Sequence, residues 1–282
     1  MYEQHFGLKQ LPFTLTPNTS LFHGLLPHYE AIKMVLSAIS MGEGVIKVTG
    51  EIGTGKTLVC RMLMSQLPAN VELLYLPNPV MNSHELRQAL AKELWIDQGG
   101  DNIALTDRIH DRLIDLQAEG KTAVVFLDEA QALSDEALET LRLFGNLETD
   151  YTKLLQIVLF GQPELDERLQ QYHLRQLRQR ITFSATLRVL NVSETVAYIN
   201  YRMSESGCEN SPFTLSQMKA IWRASGGVPR LINQLCHKAL LISFSEQLDK
   251  VSAKSVFNAI LDTTDTAKPI YYFPKFWGWR AL

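Results

Sequence analysis

A chain of 282 residues with 46% hydrophobic content supports a substantial core and is long enough for two domains, or for one large domain with an appendage. Its 27 basic and 30 acidic residues leave a net charge of −3, so no overall positive field argues for nucleic acid as a partner. Cys60, Cys208 and Cys236 show no C-x-x-C spacing, and Met1 to Gln10 lacks the apolar core of a signal peptide, so a reduced cytoplasmic protein is expected. No uninterrupted apolar run reaches the roughly 18 residues needed to span a bilayer.

Met1 to Gly24 reads as irregular, and Pro27 opens a helix through about Ile39. Val45 to Val48 is a short β-branched run leading into Gly50-Glu51-Ile52-Gly53-Thr54-Gly55-Lys56-Thr57, a complete G-x-x-x-x-G-K-[ST] phosphate loop. Leu58 to Leu67 then carries apolar residues at helical spacing up to Pro68. Strand, loop and helix follow in the order this motif requires. The glycines let backbone N–H groups turn onto phosphate oxygens, and the following helix presents its positive end to the same anion. Lys56 is placed to neutralise phosphate charge and Thr57 to bind Mg²⁺.

Val71 to Leu76 reads as a strand, and Asn82 with Glu85 as a capping pair for a helix to about Trp95. A helix from about Thr106 to Glu119 ends at Gly120, and Ala123 to Leu127 is a strand apolar on both faces. Asp128-Glu129 follows at that strand's carboxyl end, where ligands bind in open parallel sheets. Asp128 there would hold Mg²⁺ through its water shell and Glu129 would activate water as general base; a helix-cap carboxylate is the plainer alternative. Ser134 caps a helix from Asp135 to about Leu147, and Leu154 to Phe160 is another buried strand, ended by Gly161 and Pro163. Gln162 stands on the same sheet edge, either orienting water at the phosphate or serving as a turn residue.

Strands alternating with helices imply an α/β fold with a parallel sheet covered on both faces. Beyond Ile181 to Val189 the pattern is helical only, with starts at Ser193, Ser216, Pro229 and Ser252. The expected division is residues 1–26 as an N-terminal segment, 27–190 as the sheet domain, 191–264 as a small all-helical domain, and 265–282 as a tail.

Arg175, Arg178, Arg180 and Arg188 form a basic patch with no acid among Leu174 to Arg188. Three uses are open: a solvated face, a phosphate contact to nucleic acid, or an arginine finger acting in trans on a neighbouring subunit's nucleotide. Gly226-Gly227-Val228-Pro229-Arg230 puts an arginine in a helix's first turn, where the dipole disfavours a cation, so a bound phosphate or a nearby carboxylate should compensate it. Pro269 to Arg280 is dense in aromatics; it either folds back on the protein or docks to a partner or membrane interface. The seven histidines lack metal-ligand spacing, so zinc is not expected.

These motifs resemble the AAA+ ATPases, in which a P-loop NTPase sheet domain is followed by a helical lid. Within that class Met1-Tyr2, Phe6-Gly7-Leu8, Pro12-Phe13, Leu15-Thr16-Pro17, His28 with Glu30, Leu141-Arg142-Leu143, Asn146 to Thr149, Leu155 to Leu159 and Gly161 to Leu165 resemble the ExeA/GspA family of secretion ATPases. The resemblance covers roughly residues 1 to 262. It implies an ATP- and Mg²⁺-dependent homo-oligomer, such as a hexamer, with nucleotide between its two domains and partners in an inner-membrane pilus or secretion assembly. Residues Gly50 to Leu58 then bind nucleotide and Lys56, Thr57, Asp128 and Glu129 match Walker A and B. By the same match Gln162 falls at sensor 1 and Arg230, after Pro229, at sensor 2, while Phe13 to Pro17 lines the adenine pocket. Arg175, Arg178 and Arg180 all suit the finger, and Arg178 or Arg180 is the one expected. Longer members carry a membrane segment and a periplasmic cell-wall-binding part after the ATPase, so peptidoglycan contact is not expected of these residues. A DNA-associated AAA+ regulator and an ATP-dependent scaffold with little turnover share the layout; Glu129 argues against the scaffold and the balanced charge against DNA.

Overall fold

The computed structural model describes residues 2–14, 25–77, 80–149, 152–208 and 210–270. The expectations for residues 15–17 and for nearly all of the aromatic tail lie outside that set. By contacts the chain divides into two compact units, one of Leu26–Ile52 with Lys56–Leu187, the other of Met1–Leu25, Gly53–Gly55 and Arg188–Leu282.

The first unit is built on five parallel strands: β1 (Val45–Gly50), β2 (Val71–Leu76), β3 (Thr122–Leu127), β4 (Leu155–Gly161) and β5 (Ile181–Leu187), in the order β2-β3-β4-β1-β5. Every residue of β4, at the centre, is buried, and it is apolar on both faces apart from Gln156, whose Nε2 donates to the Ile39 carbonyl at 3.2 Å. Strand β5, at an edge, alternates instead, with Thr182, Ser184 and Thr186 exposed between half-buried Ile181, Phe183 and Ala185. Side chains two apart share a face, so Val125, Leu127, Ile157 and Leu159 pack into one apolar cluster with the helices on their side. Val124, Phe126, Val158 and Phe160 point to the opposite face and are also fully buried, with the Phe126 and Phe160 rings edge to face at 5.5 Å.

Around the sheet lie α2 (Leu26–Ser40), α3 (Lys56–Gln66), α4 (Ser83–Glu93), α5 (Asn102–Ala118), α6 (Asp135–Phe144), α7 (Pro163–Leu169) and α8 (Arg175–Arg180). Helix α4 opens on a complete capping box: the Asn82 side chain accepts from the His84 and Glu85 amides, and Glu85 accepts from the Asn82 amide. Helix α5 begins four residues before the expected Thr106 because Asp101 caps it, and α6 stops at Phe144 rather than Leu147. Helices α7 and α8 were not foreseen. Pro163 ends β4 but occupies the first turn of α7, where its missing N–H costs nothing.

The second unit packs α9 (Val192–Glu205), α10 (Leu215–Ser225), α11 (Pro229–Ser245) and α12 (Ala253–Asp262) around one apolar cluster that includes Tyr2, Leu8 and Phe13. The N-terminal stretch, whose short helix α1 (Tyr2–His5) contradicts the irregular expectation, is fastened to this unit. Its Tyr2 hydroxyl meets His237 Nδ1 at 2.9 Å, the Lys9 amide donates to the Ser206 carbonyl at 2.8 Å, and the buried Arg202 donates from Nε to the Pro12 carbonyl at 2.6 Å. Two helix starts differ from expectation. Asn191 rather than Ser193 caps α9 and Thr214 rather than Ser216 caps α10, each forming a box with the residue three on, Glu194 and Gln217. No helix among the described residues is long and apolar enough to cross a membrane.

Candidate nucleotide site

Because β4 lies between β1 and β3, the carboxyl ends of these three strands place the phosphate loop, Gln162 and Asp128-Glu129 side by side. The loop leaves β1 at Gly50 and enters α3 at Lys56. Lys56 is nearly fully buried, and its Nζ donates to the carbonyls of Gly50 (2.8 Å) and Glu51 (3.1 Å). Burial draws its pKa below the ordinary lysine range, while the charges of Glu129, Asp128, Glu51 and Glu164 oppose that shift.

Asp128 is buried and accepts hydrogen bonds from the Thr57 side chain and, at 3.0 Å, from the Glu129 amide. Burial raises its pKa, reinforced by the Glu129 charge and opposed by those hydrogen bonds and by Lys56. A hydroxyl and a carboxylate already in contact are hard oxygen donors suited to Mg²⁺, which needs few protein ligands when phosphate and water complete its shell.

Glu129 has φ 57° and ψ 40°, a left-handed conformation that costs a non-glycine residue about 1–3 kcal/mol and concentrates at functional sites. Its Oε2 accepts from Gln162 Nε2 at 2.8 Å and from Gln131 Nε2 at 2.6 Å. Burial would raise its pKa, but the two amides and the Lys56 charge outweigh burial and hold it below the usual glutamate range. The carboxylate is therefore half-buried and held in its ionised form.

Gln131 and Arg168 escaped the sequence reading. Gln131 also accepts the Gln162 amide on Oε1 at 3.0 Å, and Arg168 donates to the carbonyls of Gln131 and Leu133, both at 2.7 Å, and to the Asp135 carboxylate. The D-E-x-Q spacing was visible, but the pairing to Gln162 depends on a strand 30 residues further on and leaves no local signal.

The remaining expected residues fall elsewhere. Arg178 and Arg180 are exposed on α8, and Arg175 stacks on the Tyr172 ring at 4.2 Å. Arg188 is engaged by a bidentate pair with Glu194 (2.7 and 2.8 Å). In the helical unit, Pro229 opens α11, and the Arg230 amide donates to the Gly53 carbonyl at 3.2 Å. The Arg230 side chain is exposed and takes part in none of the ion pairs of the described residues. Gly53 has φ +81°, and a Cβ there would stand 2.7 Å from Arg230 Cβ, so this position requires glycine. Phe13 is fully buried, edge to face with Phe213 at 6.2 Å. Thr54 is buried, Gly55 has φ 102°, and Ile52 is exposed.

Residues 39–169 match the family model described as "AAA domain". The chain is 42% identical over 253 residues to General secretion pathway protein A of Aeromonas hydrophila; the match covers 89% of this chain and 46% of that protein, so the chain spans about half its relative's length. Among solved structures, the Aeropyrum pernix ORC2 protein in ADPNP-ADP complexes superposes with a TM-score of 0.63 at 15% identity, covering 84% of this chain and 68% of that one. Cdc6p from Pyrobaculum aerophilum gives 0.65 at 14% identity over 91% and 70%, and the Walker-type ATPase PABY2304 of Pyrococcus abyssi gives 0.59 at 16% over 89% and 77%. At such identities these structures show the fold alone, a P-loop NTPase fold with a parallel five-stranded sheet and a helical C-terminal part. The chain thus has a P-loop NTPase fold, is similar to the AAA domain model over residues 39–169, and is similar over most of its length to about half of General secretion pathway protein A.

Proposed function

We propose that this chain binds ATP with Mg²⁺ and hydrolyses it, and that turnover in a homo-oligomer drives or regulates assembly of a type II secretion-related or type IV pilus complex at the inner membrane. In this reading it is similar to the short MSHA pilus biogenesis protein MshM of the ExeA/GspA family. The observation that carries the hydrolytic reading is the anchored Glu129 carboxylate, ionised beside Lys56 and the Asp128–Thr57 pair. Lys56 and the loop amides bind phosphate, Thr57 and Asp128 hold the cation, and Glu129 takes a proton from the attacking water, a step that contributes about 10²- to 10⁴-fold. When bound, Mg²⁺ supplies charge neutralisation at the phosphates. Gln162 aligns Glu129, and Arg230 meets the nucleotide's negative charge.

Phosphate release from ATP, followed with and without Mg²⁺, tests this reading. Lys56→Ala should lose nucleotide affinity, whereas Glu129→Gln should keep it and lose about 10²-fold or more in turnover. Tight ATP binding by Lys56→Ala, or full turnover by Glu129→Gln, would refute the assignments. A host lacking the gene should lose pili or secretion and should not be rescued by Glu129→Gln.

A further inference from the structure

Glu129 and Gln162 account for two corners of a hydrogen-bonded triangle; the third belongs to Gln131, which the phosphate-loop chemistry does not call for. Both amide donors reach the same carboxylate oxygen, Oε2, at 2.6 Å from Gln131 and 2.8 Å from Gln162. One oxygen is thus an anchor, and the other, Oε1, accepts from neither amide.

Gln131 is itself held from three sides. Its Nε2 donates to Glu129, its Oε1 accepts the Gln162 amide at 3.0 Å, and its carbonyl accepts from Arg168 Nη1 at 2.7 Å. Arg168 also donates to the Leu133 carbonyl and to Asp135, whose second oxygen lies 2.8 Å from His173 Nε2. Between Glu129 and Leu133 the chain makes a tight turn, with Ala132 N–H on the Glu129 carbonyl at 2.9 Å. A left-handed residue at the head of a short turn does not fix its own side chain, so the direction of Glu129 must come from partners. Arginine's planar fork suits the task of gripping two carbonyls and a carboxylate at once.

We propose that Gln131 is a positioning residue for hydrolysis: it turns the Glu129 carboxylate toward water, and Arg168 fixes the main chain that carries it. The proposal rests on the reading of Glu129 as the base. Gln131 touches neither phosphate nor cation, so its loss should appear in the rate of the chemical step and not in nucleotide affinity.

The experiment is steady-state and single-turnover hydrolysis of Mg²⁺-ATP by the full chain, with ATP affinity and melting temperature measured on the same preparations. Gln131→Met removes the donor. Gln131→Glu keeps size and Oε1 while replacing the donor by an acceptor, and covers the case in which Gln131→Met does not fold. Both should lower kcat by about ten- to a hundredfold with ATP affinity within about twofold, the size expected for a lost hydrogen bond to a charged group. Arg168→Ala should behave alike, and Arg168→Lys should recover part of the rate. In a Glu129→Gln background, Gln131→Met should cost nothing further, because its target is gone. An unchanged kcat for Gln131→Met while Glu129→Gln is crippled would overturn the positioning role and leave the base assignment standing. An equal loss in both backgrounds would overturn it too. Absent turnover in the wild type, or full turnover in Glu129→Gln, would overturn the base assignment and this proposal with it.

Discussion

Two glycines show how much the helical unit depends on backbone that no side chain can share. Gly227 has φ +77°, and a Cβ added there would lie 2.1 Å from the Leu190 carbonyl oxygen. That oxygen accepts from Trp222 Nε1 at 2.9 Å, while the Leu190 amide donates to the Gly227 carbonyl at 2.9 Å, so neither strand of the contact can yield without losing a bond. Gly227→Ala combines left-handed strain with a backbone clash and should destabilise the protein by more than about 2 kcal/mol, read as a lowered midpoint in chemical denaturation. A loss below 0.5 kcal/mol, on the order of a neutral surface change, would mean that the segment relaxes freely. Gly53 makes the same demand beside Arg230, but its failure should reach further, since it lies in the phosphate loop and Gly53→Ala should also weaken ATP binding. The first of these needs leaves no local signal in the sequence: only the fold shows that Gly227, and not Gly226, meets another chain segment.

At the scale of elements, legibility followed how local the determining contacts are. The α4 start was readable because Asn82 and Glu85 complete each other within four residues, and Asn82→Ala should cost about 1 kcal/mol of stability through the orphaned amides. Thermal unfolding should register it as a drop of a few degrees, and no drop would show the helix held by packing alone. The α9 and α10 starts were placed two residues late because a serine near an apolar run was weighed without its acceptor three residues on; Asn191 with Glu194 and Thr214 with Gln217 hold the real boxes. Central strands were legible as apolar runs, since parallel strands buried on both faces need no alternation. Helices α7 and α8 were missed because Pro163 was read as a stop, although a proline fits a helix's first turn, and because six residues of α8 with three arginines carry too little apolar periodicity. Lys56 and Thr57 announce themselves by spacing, and Asp128-Glu129 by its place at the end of an apolar strand downstream of a phosphate loop; Gln131 and Arg168 do not, since their bonds join segments brought together by the sheet order.

On the scale of the whole molecule, the question is where the exposed arginines find their charge. Arg178 and Arg180 lie on α8 facing solvent, with no ion pair to either among the described residues, whereas Arg188 is occupied by Glu194 and Arg175 by the Tyr172 ring. Exposed guanidinium groups on a short helix contribute little to stability, even where, as for Arg180, the charge also acts on a carboxylate such as Glu148, and they are well suited to a neighbouring subunit's nucleotide. An arginine acting in trans accelerates phosphoryl transfer by about 10³- to 10⁵-fold, enough to make an isolated subunit nearly inert. The test follows from where each defect would lie. Arg178→Ala keeps its own Glu129 but cannot serve its neighbour; Glu129→Gln can serve its neighbour but cannot hydrolyse. Each alone should be nearly inactive, and mixtures should regain turnover with a maximum at intermediate ratio, because some interfaces then pair an intact Glu129 with an intact arginine. The same series with Arg180→Ala separates the two candidates. Native mass measurement with a non-hydrolysable ATP analogue should show the assembly that the mixing requires. Recovery at no ratio, with assembly intact, would exclude the finger role for the arginine tested and leave α8 a solvated face.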